Sequence, residues 1–449
     1  MEYVTPIGKI SSPETEDDLR PISLTAFFSK VLEQFVVMWL LEVIGDKFDF
    51  RQYGGRKGNS ICHYLVELIN FIKYRQDNSD HNIITLIELS DLRVPGWLLK
   101  LVMAFLKDRS MRVKYKGKLS GSYSLPGGGP QGTLLGLFLF LVLINDVGFD
   151  GQLNNAGDMI TTKKRIKDIN TLHLKYVDDL TLAETINMKT QITEVALQDR
   201  PLPDNYRDKT GHKLLNDQSQ VLRMIHEVKN YADTNNMKIN VPKTKLMVFN
   251  PCTSRDFLSL FEVENTDIKL VEETKLLGVV ISSNLSWKAN TEYIVKRCNS
   301  KIWVVRRLKK LGADDEDLLE VYFKQIRSII EFGAPVWNSS LTGEDISQLE
   351  RIQKTVLHII LGEKYNSYNS ALRASGLQKL SERRRKICLG FAKKALKHDK
   401  FSKWFVPNTK STGTRQDQSK FCNIVRRTDR FLNSPLPYLT NLLNNHYSK

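Results

Sequence analysis

Apolar residues recur at three- and four-residue intervals from Ala26 to Ile44, a spacing that predicts a helix. A second helix is predicted from about Ser60 to Lys73, with Ser60 as its cap. Pro95-Gly96-Trp97 opens a third that runs to about Lys107. Between Arg112 and Ser124 the alternation around Val113 and Tyr115, with the turn Lys116-Gly117-Lys118, predicts a β-hairpin. Gln131 begins a very apolar helix, and Val221 to Asn236 is an amphipathic one. Leu172 to Val177, then Asp178-Asp179, then Leu180 to Leu182 reads as strand, turn, strand. Thr244 to Phe249 and Lys275 to Ile281 are strand-like runs, and from Thr291 onward the pattern is mostly helical. The N-terminal stretch to Asp18 is polar and extended, Gln191 to Lys213 is a polar surface excursion, and no internal repeat is evident. This mixture defines an α+β class.

A chain of 449 residues is too long for one compact core, so two or three domains are expected. Lys and Arg number 66 against 50 Asp and Glu, a formal net charge of +16. That excess favours a polyanionic partner, nucleic acid before acidic membrane; a plain basic globular protein is the bland alternative. The most apolar run, Leu134 to Ile144, is far short of the ~20 residues a bilayer helix needs. Met1 to Ile10 lacks the charged-then-apolar pattern of a signal peptide. The expectation is an intracellular protein, cytoplasmic or nuclear, with no membrane contact and no evident obligate protein partner. Cys62, Cys252, Cys298, Cys388 and Cys422 are scattered without a CxxC pair, which argues against a zinc site or a disulfide framework.

Tyr176-Val177-Asp178-Asp179 is the first candidate for chemistry. Paired aspartates also occur at Asp17-Asp18 and Asp314-Asp315, where a solvated turn or helix start suffices. The middle pair is flanked by apolar residues on both sides, so its carboxylates sit at the tip of a buried hairpin. Burying charge without a partner is costly, and a divalent cation such as Mg²⁺ offsets that cost; a structural turn is equally compatible with the pair alone. The second candidate is Leu125 to Thr133, whose glycines let backbone approach a ligand and whose helix start favours anions. A simple loop and cap explains it as well.

Taken in order, Arg20-Pro21-Ile22-Ser23-Leu24, Pro130-Gln131-Gly132, Tyr176 to Asp179, Lys243-Thr244-Lys245 and Leu276-Leu277-Gly278 resemble the reverse transcriptases of non-LTR retrotransposons. Glu331 to Trp337 and the basic helices after it look like the segment that follows the polymerase in those elements. The resemblance implies a right-hand polymerase acting on an RNA template and a DNA primer with deoxynucleotides. It implies an extended segment over 1–18, fingers and palm over 19–285, a helical thumb over 290–365 and a basic helical region over 366–449. By the same resemblance Asp178 is a ligand of two catalytic Mg²⁺ ions, with Asp179 as its neighbour. Arg20 and the Arg56-Lys57 loop fall near nucleotide and template, as do Gln131 and Gly132. Lys243 falls near the triphosphate and Leu276 to Val280 grips the primer. A solvated lysine and a surface arginine are the plain alternatives for Lys243 and Arg20.

One part of the pattern is missing. The family supplies a further carboxylate from an apolar strand ending in Asp and an aromatic residue, located before the helix expected here to contain His81-Asn82-Ile83-Ile84. Tyr74 instead leads through Arg75 to Asp80, a polar linker, straight into His81. The palm sheet is therefore expected to lack a central strand, with about twenty residues missing, and the polymerase to be inactive. Neither Asp77 nor Asp80 follows an apolar strand that would hold it rigidly. A non-enzymatic nucleic-acid-binding remnant, using Lys296-Arg297, Arg306-Arg307, Lys309-Lys310 and Arg383 to Lys386, is the alternative; an intron-maturase-like role has nothing specific in its favour. Neither an N-terminal nuclease module nor a zinc knuckle is expected in this chain.

Overall fold

A computed structural model describes residues 2–8, 19–24, 27–44, 49–77, 81–87, 110–115, 118–124, 133–135, 138–139, 141, 171–177, 179–186, 224–225, 227–230, 244–249, 262–263, 266–267, 269–408, 420–424 and 428–447. The described residues form a mixed α and β protein.

The sheet that matters most is built from β3 (His81–Ile87), β7 (Thr171–Tyr176), β8 (Asp179–Ile186), β9 (Lys245–Phe249) and β12 (Lys269–Leu270), in the order β12-β9-β3-β8-β7. The strand-turn-strand reading of Leu172 to Leu182 is realised as the β7–β8 hairpin, with Tyr176 paired to Asp179 at its tip. The stretch from His81, expected to be helical beyond a missing strand, is itself a strand. It pairs antiparallel with β8 on one side and β9 on the other, so among the described residues the central slot is filled and that expectation is corrected. Ile83, Ile84, Thr85 and Ile87 explain the outcome, because β-branched side chains suit a pleated surface between two partners.

A second sheet joins β1 (Glu2–Gly8), β2 (Leu19–Leu24), β4 (Ser110–Tyr115) and β5 (Lys118–Leu119), with β6 (Tyr123–Ser124) paired to β4. Arg20 lies in β2, with its backbone opposite Ile7. The hairpin expected at Arg112 to Ser124 is thus present in β4, β5 and β6. A small β10–β11 hairpin spans Glu262–Val263 and Thr266–Asp267. The run Lys275 to Ile281 is not one strand but the hairpin β13 (Glu273–Leu276) and β14 (Val279–Ser282). Leu277 and Gly278 have φ of 48° and 88°, the pair of left-handed residues that a tight two-residue hairpin turn requires.

Helix α1 is Phe27–Ile44 and α2 is Ile61–Asp77. Ser60 stands before α2, its Oγ 2.8 Å from His63 Nδ1. Tyr64, Leu65, Leu68, Ile69 and Ile72 of α2 are buried at helical spacing, and the helix packs on β3 and β7. Its far end is tied to the C-terminal region, where Lys73 Nζ donates to Ser340 Oγ at 2.8 Å and Thr428 Oγ1 to Asp77 Oδ1 at 2.5 Å.

After the sheets the chain is helical: α3 (Lys288–Lys310), α4 (Asp315–Val321), a π-helical turn (Tyr322–Arg327), α5 (Ser328–Glu331), α6 (Ala334–Trp337), α7 (Gly343–Leu361), α8 (Tyr368–Ala374), α9 (Leu380–Leu396), α10 (Asp429–Leu432) and α11 (Pro435–Tyr447). Asp314 of the Asp314-Asp315 pair is a helix cap, accepting from Asp317 N–H at 2.8 Å. Thr342 and Asp345 form a capping box on α7. Thr291, Ile294, Cys298, Ile302 and Val305 bury one face of α3. One continuous apolar core links Tyr53 and α2 to the β13–β14 hairpin and onward to Leu443. Among the described residues no helix is long and apolar enough to cross a membrane.

Candidate active site

The tip of the β7–β8 hairpin carries the paired aspartates. Asp179 is the first residue of β8 and is exposed; Asp178 lies outside the described residues. Val177, just before it, has φ +57°, an uncommon conformation for a β-branched residue. The segment Arg51 to Gly54 holds this turn. Lys175 N–H donates to Arg51 O at 3.0 Å and Tyr53 N–H to Lys175 O at 2.8 Å, a short parallel ladder beside β7. Gln52, fully buried, then turns its side-chain carbonyl toward the tip, where it accepts from Gly54 N–H at 2.9 Å and Val177 N–H at 3.1 Å. Gly54 lies so close that an added Cβ would sit 2.5 Å from Val177 Cγ2 and 2.6 Å from its nitrogen. Only glycine allows this approach.

Beneath the turn, Lys175 is buried on β7 and pairs with buried Asp49 at 2.8 Å. Arg51 Nε donates to both Asp49 oxygens at 2.7 and 3.0 Å. Burial pushes the Asp49 carboxyl up, but Lys175 and Arg51 outweigh it and hold the group well below the usual carboxylate range. Arg56 donates from Nη1 to Asp49 O at 3.2 Å, so its guanidinium is partly spent on its own loop; Lys57 is exposed.

On the other side, α2 supports the hairpin through Tyr64, whose hydroxyl donates to Thr181 Oγ1 and whose ring meets Tyr176 edge-on at 6.1 Å. Tyr53 packs edge-on to Tyr64 and donates its hydroxyl to Glu67. Burial raises the Glu67 carboxyl and lowers the Lys400 ammonium to about 8. Lys400 Nζ lies 3.5 Å from the Tyr53 ring centre and donates to Phe50 O. His63 stacks on Phe401 at 4.0 Å, and burial drops its imidazole to about 3. Lys400 and Phe401 of the C-terminal region thus pack behind the Arg51 to Gly54 segment, on Phe50, Tyr53 and His63.

Of the residues singled out in sequence, the structure brings together Asp179 and the loop that carries Arg56. Gln131, Gly132 and Lys243 lie outside the described residues, as does the Arg20 side chain. Glu33 of α1 accepts from Leu134 N–H at 2.8 Å and Leu135 N–H at 3.2 Å. Asp77 is taken up by Thr428, and Asp80 lies outside the described residues. Gln52 and Asp49 went unnoticed in sequence. The available signal was Lys175, a lysine inside the apolar run Leu172 to Val177, because a buried ammonium requires an acid nearby.

β3 runs antiparallel to β8 with Leu86 opposite Thr181 and Ile87 opposite Leu180, next to Asp179. None of its seven residues is Asp or Glu. Among the described residues no three His, Cys, Asp or Glu side chains gather to hold a metal ion.

No family model matches the sequence. Curated relatives do. The Drosophila melanogaster protein described as "Probable RNA-directed DNA polymerase from transposon X-element" is 19% identical over 394 residues, 83% of this chain and 39% of the relative. Its counterpart from transposon BS is 22% identical over 367 residues, 75% of this chain and 36% of the relative. The RNA-directed DNA polymerase from mobile element jockey is 26% identical over 153 residues, 30% of this chain and 17% of the relative. The chain spans about two-fifths of the length of the first two. Among solved structures, telomerase from Candida albicans aligns with a TM-score of 0.35 at 10% identity, over 90% of this chain and 65% of that one. Apo telomerase from Candida tropicalis gives 0.35 at 12% identity, over 86% and 63%.

These relatives make the chain similar to reverse transcriptases. More particularly, it resembles the RNA-directed DNA polymerases of non-LTR retrotransposons, as the order of its motifs implied.

Proposed function

We propose that the chain is the RNA-directed DNA polymerase part of a non-LTR retrotransposon, folded as a right hand of fingers, palm and thumb, and catalytically disabled. On this reading RNA template and DNA primer lie against the sheet and the α3 helix, with deoxynucleotides entering near Arg20, Arg56, Gln131, Gly132 and Lys243. Mg²⁺ would be the cofactor, supplying charge stabilisation for nucleotidyl transfer, and Asp178 and Asp179 its donors on the hairpin side. The observation that carries the reading of disablement is the register of β3. The strand beside the aspartate hairpin has Leu86 and Ile87 where its pairing meets the tip, and no carboxylate along its length. Misplacing a reacting group by one ångström costs about a hundredfold in rate, and lacking the donor costs more.

The test is extension of a DNA primer on an RNA template by the purified chain with Mg²⁺. The expected result is no extension. Extension that Asp178→Ala abolishes would contradict it, and Glu88, the first carboxylate after β3 in sequence, would then be the residue to replace next. The second reading, a remnant that binds nucleic acid without polymerising, is favoured by the exposed basic face of α3, where Lys296, Arg297, Arg306, Arg307 and Lys310 flank Trp303, 65% exposed. Binding without extension fits both readings of descent; extension excludes the remnant.

A further inference from the structure

The positive charge of this chain is not spread evenly. Residues 366–449 contain 18 Lys and Arg against 4 Asp and Glu, a net +14 of the +16 carried by all 449 residues. Not all of it is available outside. In the run Arg383 to Lys386, Arg383 is engaged by Glu331 and Arg384 is fully buried, its Nε donating to Asn338 Oδ1 at 2.9 Å. The open part lies further along α9 (Leu380–Leu396) and just beyond it. Lys386, Lys394 and Lys397 are exposed and Lys393 is half-buried. Lys386, Lys393 and Lys397 fall within about 40° of arc on the helix, and Lys386 and Lys397 are separated by ~16 Å along its axis. Among the described residues none of these four lysines pairs with a carboxylate; Lys386 Nζ donates only to the neutral Gln378 Oε1, at 2.7 Å.

Gly390 lies in the middle of this stripe, four residues from Lys386 and three from Lys393. A glycine inside a helix costs about 1 kcal/mol relative to alanine, and here neither backbone nor packing requires it. Its φ is not among the positive values, and a Cβ added to it would meet nothing within 4 Å among the described residues. A glycine that the fold does not need, centred among unpaired lysines, fits a ligand that approaches the helix backbone from outside.

We propose that the Lys386–Gly390–Lys393–Lys397 face of α9 is a binding surface for the sugar-phosphate backbone of RNA, separate from the aspartate hairpin and independent of the polymerase reading. The face offers ammonium groups and a bare stretch of helix, without an aromatic residue on the same arc. It therefore holds phosphates without reading bases, and its affinity is set by charge and salt.

The experiment is fluorescence anisotropy of a labelled, structured RNA with the full chain across a salt series. Three proteins are compared: the unaltered chain, the triple variant Lys386→Gln, Lys393→Gln, Lys397→Gln, and Gly390→Ala. Removing three phosphate contacts should reduce the slope of log affinity against log salt by about 2–3. Gly390→Ala should bind about tenfold more weakly while its melting temperature stays level or rises, which separates a contact effect from misfolding. The proposal is overturned if both variants bind with the affinity and slope of the unaltered chain. It is equally overturned if the unaltered chain does not bind RNA, or binds phosphatidylserine vesicles in preference to it. Primer extension, present or absent, does not bear on this outcome.

Discussion

The side-chain carbonyl of Gln52 accepts the backbone N–H of Val177 at 3.1 Å, one residue before the first of the paired aspartates. The same oxygen takes the N–H of Gly54 at 2.9 Å, so a single buried amide fixes a left-handed valine and the loop that overlies it. Gln52→Ala strands two buried donors, each costing about 1–3 kcal/mol. Urea unfolding should show a loss of about 2–5 kcal/mol; a loss under about 0.5 kcal/mol would mean that the amide does not hold the turn.

Gly54→Ala tests the same contact from the other side. The new Cβ meets Val177 backbone nitrogen and the Tyr176 carbonyl carbon, at 2.6 and 3.0 Å, and backbone atoms cannot turn aside as a side-chain tip can. The expected loss is about 1–3 kcal/mol or more, read as a lower urea midpoint. An unchanged midpoint would show that the loop can lift off the hairpin freely.

How much of this was legible in sequence differs by element. The aspartate hairpin, α1 and α2 follow from local rhythm: strand-turn-strand around Asp178-Asp179, and apolar residues at helical spacing elsewhere. β3 departs from the helix that the resemblance implies at His81, and the polar run Arg75 to Asp80 before it gives no strand signal. The β-branched residues Ile83, Ile84, Thr85 and Ile87 held the better signal. The Leu277-Gly278 turn was hidden inside an apolar run, since leucine seldom adopts positive φ. The Asp49–Lys175 pair joins residues 126 positions apart, and no local pattern specifies such a partner. Gln52 was invisible for the same reason: its role depends on a hairpin that arrives far later in the chain.

Asp49 and Lys175 are nearly inaccessible, at 5% and 3% side-chain exposure. Asp49→Asn leaves an ammonium buried beside Arg51 and should cost about 3–5 kcal/mol, whereas Asp49→Asn with Lys175→Met should cost less. Because the folded carboxyl titrates below its unfolded value, its stabilisation is fully present above about pH 4 and is lost as pH falls toward the folded value. Urea unfolding of the single and double variants checks the coupling; additive losses would show that the pair does not act as one.

His63 gives a second acid sensitivity, in a higher window. Burial against Phe401 lowers its imidazole to about 3 from an ordinary 6.5. The unfolded chain therefore takes up a proton first, and stability falls as pH drops from about 6.5 toward 3, by up to ~1.4 kcal/mol per pH unit. Replacing it by His63→Phe should flatten the stability profile between pH 6.5 and 4. A variant that follows the unaltered protein through that window would show that His63 is already charged when folded.

The most direct measurement for the whole account is single-turnover primer extension on an RNA template with Mg²⁺, comparing the unaltered chain with Asp178→Ala. On the proposed reading of a disabled polymerase, neither protein adds a nucleotide. Nucleotide addition by the unaltered chain and none by Asp178→Ala would contradict it.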